Sequence, residues 1–526
     1  YGTTFNEATP AVTLTTTDNG FLAAGRTDRP TFGSIDATLI KTDALGTQLW
    51  SRVYGGQGID QFNSVKESPN SSVRYAAVGS TTSYSGNPDA YLVGTDPNGF
   101  PLFSRTYGGA NIDRFNHIQK IVHPVDGPGY IMVGETNSFN HFGAGFDIYV
   151  VRTDLMGNFK ASAVLGYTGD QIGNWIEPTN DGYIIAGSTT YNCTPAPTGV
   201  IHSDIYAVKL DFNLNLVWDR IVGNNQVLRN DVAYCVRVDN VGNYVFTGET
   251  QSFAAPGGNA FLLKFTPVGG AVFFRTYSGP NNDQGRSLIV HKTSTGVFYV
   301  VAGFSNSFNA NAINDAMLFK TDQNGNLVWT RLYGKLRPDH AYEVDFSSTL
   351  QNGYILAGHE QSFGAGNNDA YLIRTDINGF TGPYNCVSTP NLISQFYGPC
   401  INRATKVIRV DNQRVVSTPT ALIPYVQAKC VNTTAAREDD VAVGTLTQAV
   451  TLSPNPTKTQ LHISILPELK GSAVSVIDLD GKNVMQFRLE EELQHISVEG
   501  LRSGLYMVVI TQPDGMVIKE KLVIHD

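Results

Sequence analysis

"NDAYLIRTDINGF" at 368–380 nearly repeats "PDAYLVGTDPNGF" at 88–100, and looser copies read "IDATLIKTDALGT" at 35–47 and "NDAMLFKTDQNGN" at 314–326. Aligned on this phrase, the leading Asp recurs at Asp36, Asp89, Asp147, Asp204, Asp315 and Asp369. Asn259 fills the remaining place, which gives seven copies spaced roughly 53–58 residues apart. Each copy has four parts: an alternating segment such as "DVAYCVRV" (231–238), an apolar run ending in Gly such as "GYIMVG" (129–134), the quoted strand, and a segment like "GNLVWTRLYG" (325–334). Four short strands in one meander make a twisted antiparallel sheet. The second strand is apolar at consecutive positions, so both of its faces need cover. Stacking sheet on sheet around a closed ring supplies that cover and leaves only short edges. The period therefore predicts an all-β fold, a seven-bladed β-propeller over residues 1–386. In the seventh copy Pro383 stands where Trp50, Trp218 and Trp329 stand. Proline cannot donate to a ladder, so a weak outer strand is expected there, with the ring closing by face-to-face packing of the first and seventh blades.

Composition excludes several classes. The 526 residues carry a net charge of −9, with 16% charged residues and no Lys/Arg cluster, which argues against a nucleic-acid partner. No apolar run reaches the roughly 18 residues a membrane helix needs. The sequence opens at Tyr1 rather than Met, as expected of an exported chain whose signal peptide has been removed. Cys386, Cys400 and Cys430 can supply one disulfide in an oxidising compartment, whereas Cys235, inside "VAYCVRV", reads as a buried free thiol. No cysteine pair or His/Cys cluster suggests a metal, and no cofactor is implied.

A second Asp closes the quoted phrase at Asp43, Asp96, Asp154, Asp211, Asp322 and Asp376, usually with Gly three residues later. "TDxxG" is turn chemistry: the carboxylate accepts backbone N–H groups and Gly takes the left-handed conformation. A Ca²⁺ loop would need further acidic ligands that are missing. A third series, Asp60, Asp113, Asp170, Asp231, Asp283 and Asp339, precedes each first strand. In a meander it collects at the same end as the leading Asp. Both series read either as an acidic collar for ligands or as caps on loop N–H groups. Recurrence in nearly every copy favours caps, because a specific site rarely needs all blades alike. Aromatics at Phe32, Tyr84, Phe139, Tyr191, Phe253, Phe308 and Phe363 occupy the same loops, as sugar platforms or, the favoured reading, as core wedges. If this rim binds, Asp60, Asp89, Asp113, Asp147, Tyr84 and Phe139 are the candidate residues. No GxSxG or HExxH motif occurs, and no catalytic residue is assigned. His340 and His359 can approach each other, but loop histidines are usually bystanders.

Residues 387–447 break the repeat and read as a linker with a β-hairpin through "TKVIRVDNQRVVST" (405–418). From 448 to 526, alternating segments divided by "DLDG" and "PDG" turns predict a β-sandwich of some seven strands. Ser453-Pro454-Asn455-Pro456, "DLDGK" at 478–482, Leu501, Gly504, Tyr506 and "KLVI" from Lys521 to Ile524 resemble the type A C-terminal sorting domain of type IX (Por) secretion cargo. The resemblance assigns the sorting signal to Pro454, Asn455, Pro456, Asp480, Gly481, Leu501, Gly504, Tyr506 and Lys521. It implies transit through the periplasm of a Gram-negative cell, then handling by an outer-membrane translocon, a shuttle barrel and a sortase-like protease. Cleavage is expected within 431–448, leaving a secreted or surface-displayed protein. Residues 1–386 more loosely resemble secreted bacterial seven-bladed arrays with SBBP-type repeats. The expected role is a non-catalytic binding or adhesion module for a glycan or surface protein. Two alternatives stand beside it: a glycan-active hydrolase or lyase, which needs a blade-specific cluster of carboxylates, His or Tyr at the channel mouth, and a structural surface component.

Overall fold

The computed structural model describes residues 6–410 and 450–524, apart from loop segments at 29–34, 140–144, 191–201, 225–228, 254–256, 309–311, 335–336, 348–352, 363–367, 382–386, 389–392, 397–399, 403–408, 454–456, 466–468, 479–481 and 512–516 and single residues 70, 85 and 492. The chain forms two compact units, Tyr1–Thr434 and Ala435–Asp526. Among the described residues there is no α-helix, and no helix is long and apolar enough to cross a membrane.

The first unit contains seven antiparallel sheets, each a meander of consecutive strands. Sheets one to six have four repeat strands apiece, and among the described residues sheet seven has three, Asp339–Ser347, Gly353–Glu360 and Asp369–Arg374. The hairpin after the quoted strand forms as its chemistry requires. Asp43 Oδ1 accepts the N–H groups of Leu45 and Thr47, each at 2.8 Å, and Gly46 takes φ 86°. The same hairpin recurs around Asp96, Asp322 and Asp376.

The core lies between successive sheets. Leu22 and Leu39 of sheet one pack with Val65 and Tyr91 of sheet two, and Leu318 of sheet six with Leu356 of sheet seven. Four tyrosines at the ends of fourth strands tie sheets one, two, five and six each to the next. Tyr54, Tyr107, Tyr277 and Tyr333 donate to the carbonyls of Gly99, Gly157, Gly325 and Gly379, at 2.7, 2.6, 2.6 and 2.7 Å. Sheet seven packs in turn on sheet one through Val12, Phe21, Ile355 and Ala357. Glu7 N donates to Asn368 O at 2.7 Å, Thr9 Oγ1 to Gly358 O at 2.8 Å, and Val12 N to Glu343 Oε2 at 2.8 Å. No described strand of either sheet is exchanged into the other.

Residues 387–410, read from sequence as the start of a linker, instead lend fifth strands to sheets already formed. Val387–Ser388 pairs with sheet six, Ile393–Phe396 with sheet five, Cys400–Asn402 with sheet four and Arg409–Val410 with sheet three, all antiparallel. The segment thus runs back along the fourth-strand edges, whose unpaired N–H and C=O groups would otherwise be open to pairing. The hairpin expected at 405–418 falls almost wholly outside the described residues, as do Pro383, Cys386 and Cys430; Cys235 is a free, buried thiol.

The second unit has a three-stranded and a four-stranded antiparallel sheet. Leu461 and Ile463 of one share a buried cluster with Val474, Val476, Val508, Ile510 and Leu522 of the other. This is a sandwich core with the strand content the alternation predicts.

Candidate functional site

A β-bulge interrupts the pairing of first and second strands at one place in all seven sheets. A bulge adds a residue and re-aims the side chains beyond it. Counting from the residue that opens each first strand, positions one and three are half-buried, and after the bulge position six takes over the same face. Position six is Thr13, Lys66, Gln119, Glu177, Arg237, Ile289 and Asp345, and these seven residues, one per sheet, line a single cavity of about 430 Å³.

Charge in that cavity is compensated. Arg237 pairs with Glu177 at 3.0 Å and Lys66 with Glu343 at 3.5 Å, while Leu14 N donates to Asp345 Oδ2 at 3.1 Å. Burial raises the Glu343 carboxyl above its usual range, against the opposing pull of Lys66 and the Val12 N–H.

The bulge position holds four residue types across the seven sheets: Pro10, Asn63, Asn116, Asn174, Tyr234, Arg286 and Tyr342. Asn63, Asn116 and Asn174 each donate to the backbone of the next sheet, at the carbonyls of Phe115, Gly173 and Ala233. Sheet one carries Pro10 there, and sheets five to seven carry a Tyr–Arg–Tyr set instead. The Arg286 guanidinium lies 3.9 Å from the ring centre of Tyr234, 5.4 Å from Phe304 and 5.7 Å from Tyr342. His340 stacks parallel to Tyr342 at 6.0 Å and lies 4.6 Å from its cross-strand partner His359. Burial, helped by His359 and Arg286, pushes His340 down to about 4, so it is neutral at pH 7. Arg26, Gln61, Asn63, Tyr342 and His359 line a cavity of about 260 Å³. Gln61 and Asn63 also line an adjoining one of about 390 Å³ toward sheet three.

The rim residues named from sequence lie elsewhere. Asp60, Asp89, Asp113 and Asp147 are all buried. Asp60 Oδ2 accepts from Gly56 N and Ser83 Oγ, and Asp113 Oδ2 from Gly109 N and Ser138 Oγ. Burial raises Asp113 and Asp283, and lifts Asp147 and Asp231 to about 7. Phe139 is buried 5.7 Å from Tyr149, and Tyr84, 37% exposed, tilts against Tyr91. In sheet four the series is corrected: Gln171, not Asp170, opens the first strand, and its Oε1 accepts Tyr167 N at 2.6 Å. A neutral amide does the work of the carboxylates. Phe32, Tyr191 and Phe363 fall outside the described residues.

Of the Arg286–Tyr342–His359 group the sequence singles out only His359, through its approach to His340, which the structure places 4.6 Å away. Arg286 and Tyr342 stand at a position whose residue type changes between sheets two to four and sheets five to seven, and that change is the signal that marks them. Inside a repeat, invariant positions build the unit, and the variable position on an accessible face is free to recognise something.

In the second unit Leu501 packs against the sandwich core, Tyr506 Oη donates to Arg502 O at 2.8 Å, and Gly504 pairs with Ile524 across the last two strands. Met507 pairs with Lys521 in the same ladder, whereas Pro454, Asn455, Pro456, Asp480 and Gly481 lie outside the described residues. Residues 451–525 match the secretion system C-terminal sorting domain. The chain is cargo of the type IX secretion system. This cargo protein is therefore handled by that machinery and ends outside the cell, secreted or on the outer surface.

No curated protein matches the whole chain. Among solved structures, it is similar to the extracellular domain of the hybrid two component system BT4673 from B. thetaiotaomicron, at 11% identity over 98% of this chain and 68% of that one, TM-score 0.34. It is also similar to PorZ, a bacterial surface component of the type-IX secretion system of Porphyromonas gingivalis, at 9% identity over 99% of both chains, TM-score 0.25. Among the described residues no group of three or more His, Cys, Asp or Glu is placed to hold a metal ion.

Proposed function

We propose that the seven sheets are blades of a closed propeller over residues 1–386, carried out of the cell by the sorting domain at 448–526 and acting there as a non-catalytic binding or adhesion module. One observation supports this reading: position six of all seven first strands lines one cavity, while the bulge position near the other end of the same strands changes from Asn in sheets two to four to Tyr, Arg and Tyr in sheets five to seven. A repeated scaffold with a non-repeated, accessible end suits recognition of a glycan or a surface protein. The shuttle barrel and sortase-like protease are its expected handlers, with cleavage in 431–448, outside the described residues. A glycan array probed with the full chain tests the binding role; binding that an Arg286→Gln exchange abolishes supports it, and an array without binding counts against it.

The His340–Tyr342–His359 group favours one second reading, a glycan-active lyase or hydrolase, because it is a blade-specific cluster of His and Tyr. New reducing ends released from bound glycans, and lost in Tyr342→Phe, would establish it.

A further inference from the structure

We infer that the bulge end of the first strands holds an anion subsite for an acidic sugar, its charge supplied by Arg26 and Arg286 and its walls by Tyr234 and Tyr342; this rests on reading the first unit as a binding module. The two ends of the strands treat charge differently, apart from Arg114, which pairs with Glu135 at 2.9 Å in the cavity toward sheet three. At the position-six end both cations, Lys66 and Arg237, have carboxylate partners. At the bulge end, among the described residues, neither Arg26 nor Arg286 forms an ion pair. Arg26 Nη1 donates to the neutral Gln61 Oε1 at 3.1 Å, and Arg286 Nε, itself buried, has no hydrogen-bond partner among the described residues. Glu249, on the second strand of sheet five, accepts from Gln251.

Rings occupy the surroundings of Arg286, with Tyr234 at 3.9 Å, so what its guanidinium has left to offer is its N–H edge. That edge matches a carboxylate or sulfate through paired hydrogen bonds. A half-buried cation with no counter-charge is also costly to hold, and an incoming anion removes that cost. Tyr342 joins the two arginines: it lines the cavity with Arg26 and lies 5.7 Å from Arg286. Its face, with the amide of Gln61, gives a sugar ring an apolar platform and a polar edge. At about 260 Å³ the cavity is smaller than most small-molecule sites. It takes a single ring of an oligosaccharide, whose neighbouring units extend into the adjoining cavity at Asn63.

The test titrates the full chain with an oligogalacturonate, the same oligomer as its neutral methyl ester, a sulfated galactan oligomer and a poly-Glu peptide. The acid form should bind at least about tenfold more tightly than the ester. Arg26→Gln and Arg286→Gln should each weaken it by roughly 10- to 100-fold, the loss of a charge-assisted hydrogen bond. Lys292→Gln, exposed at the far end of the strand that carries Arg286, should leave it unchanged, and unaltered urea unfolding of both arginine variants separates loss of the site from loss of fold. The sulfated arm decides which anion fits better, and either preference supports the subsite. Equal binding of acid and ester, or indifference to both arginine exchanges, overturns the subsite while leaving a binding module in place. Tighter binding of the peptide than of every sugar overturns the sugar assignment, and absence of binding to every acidic sugar overturns the subsite whatever the glycan array shows.

Discussion

Leu214 holds a left-handed backbone, φ 67°, at the hairpin place that Gly46, Gly99, Gly157 and Gly325 fill elsewhere, and Leu165, ending the preceding sheet, stands where Tyr54 and Tyr107 stand in theirs. Both leucines are buried in the same cluster. The sheet-to-sheet hydrogen bond of Tyr54 to Gly99 has thus been exchanged, as a pair, for apolar contact. A bulky residue at positive φ costs on the order of 1 kcal/mol, which burial of its side chain offsets. Leu214→Gly should destabilise by about 1–3 kcal/mol through lost packing, and so should Leu165→Tyr, whose larger ring has to share its space with the buried Leu214 side chain. The double variant should beat the sum of the two by about 1 kcal/mol in urea unfolding, the coupling expected of neighbours that act together.

The intact ties predict a simpler loss. Tyr54→Phe and Tyr333→Phe each leave a buried glycine carbonyl unpaired and should cost about 1–3 kcal/mol. Tyr84→Phe, at a half-exposed ring, should change urea stability by less than about 0.5 kcal/mol.

The capping aspartates predict a pH dependence of unusual sign. Asp231 is raised by burial to about 7 in the folded chain. A carboxyl raised on folding favours the native state most when protonated, so its contribution is full below its unfolded value near 4 and is lost as pH rises through about 7. Histidines lowered by burial, His117, His291, His340 and His359, act the other way as pH falls. Only a difference therefore isolates the carboxyl: wild type minus Asp231→Asn should gain stability from pH 8 to pH 5 by thermal melting. Gln171 shows that an amide can occupy this place.

Much of this architecture was legible in the sequence. The quoted strand, its hairpin and the number of copies follow from Asp, Gly and period-two alternation, because those residues act within their own sheet. The fifth strands at 387–410 were not legible. They pair through backbone atoms with edges made from 54 residues earlier, Tyr333 for Val387, to 245 residues earlier, Val164 for Arg409, and such pairing leaves no periodic trace. The bulge was hidden for a related reason: it shifts which side chains share a face, so a count in twos from Asp283 or Asp339 reaches the wrong residues after Arg286 and Tyr342. The carboxylates were visible, but their burial was not, since it depends on loops from neighbouring strands.

The added strands predict a liability when removed. A chain ending at 386 lacks the cover on the edges of sheets three to six that a chain ending at 434 keeps. The shorter form should self-associate at concentrations where the longer stays monomeric, read by light scattering, because open edges template pairing.

The central claim is that seven sheets close on themselves, so that sheet seven covers sheet one. Hydrogen exchange at the amides of Glu7 and Val12 tests it most directly, because their acceptors, Asn368 O and Glu343 Oε2, both belong to the far end of the repeat array. In a closed ring these two amides exchange as slowly as that of the fully buried Val78 and speed up together in Glu343→Ala. If they exchange at the rate of a free sheet edge, and Glu343→Ala changes nothing, the sheets form an open stack and the account fails.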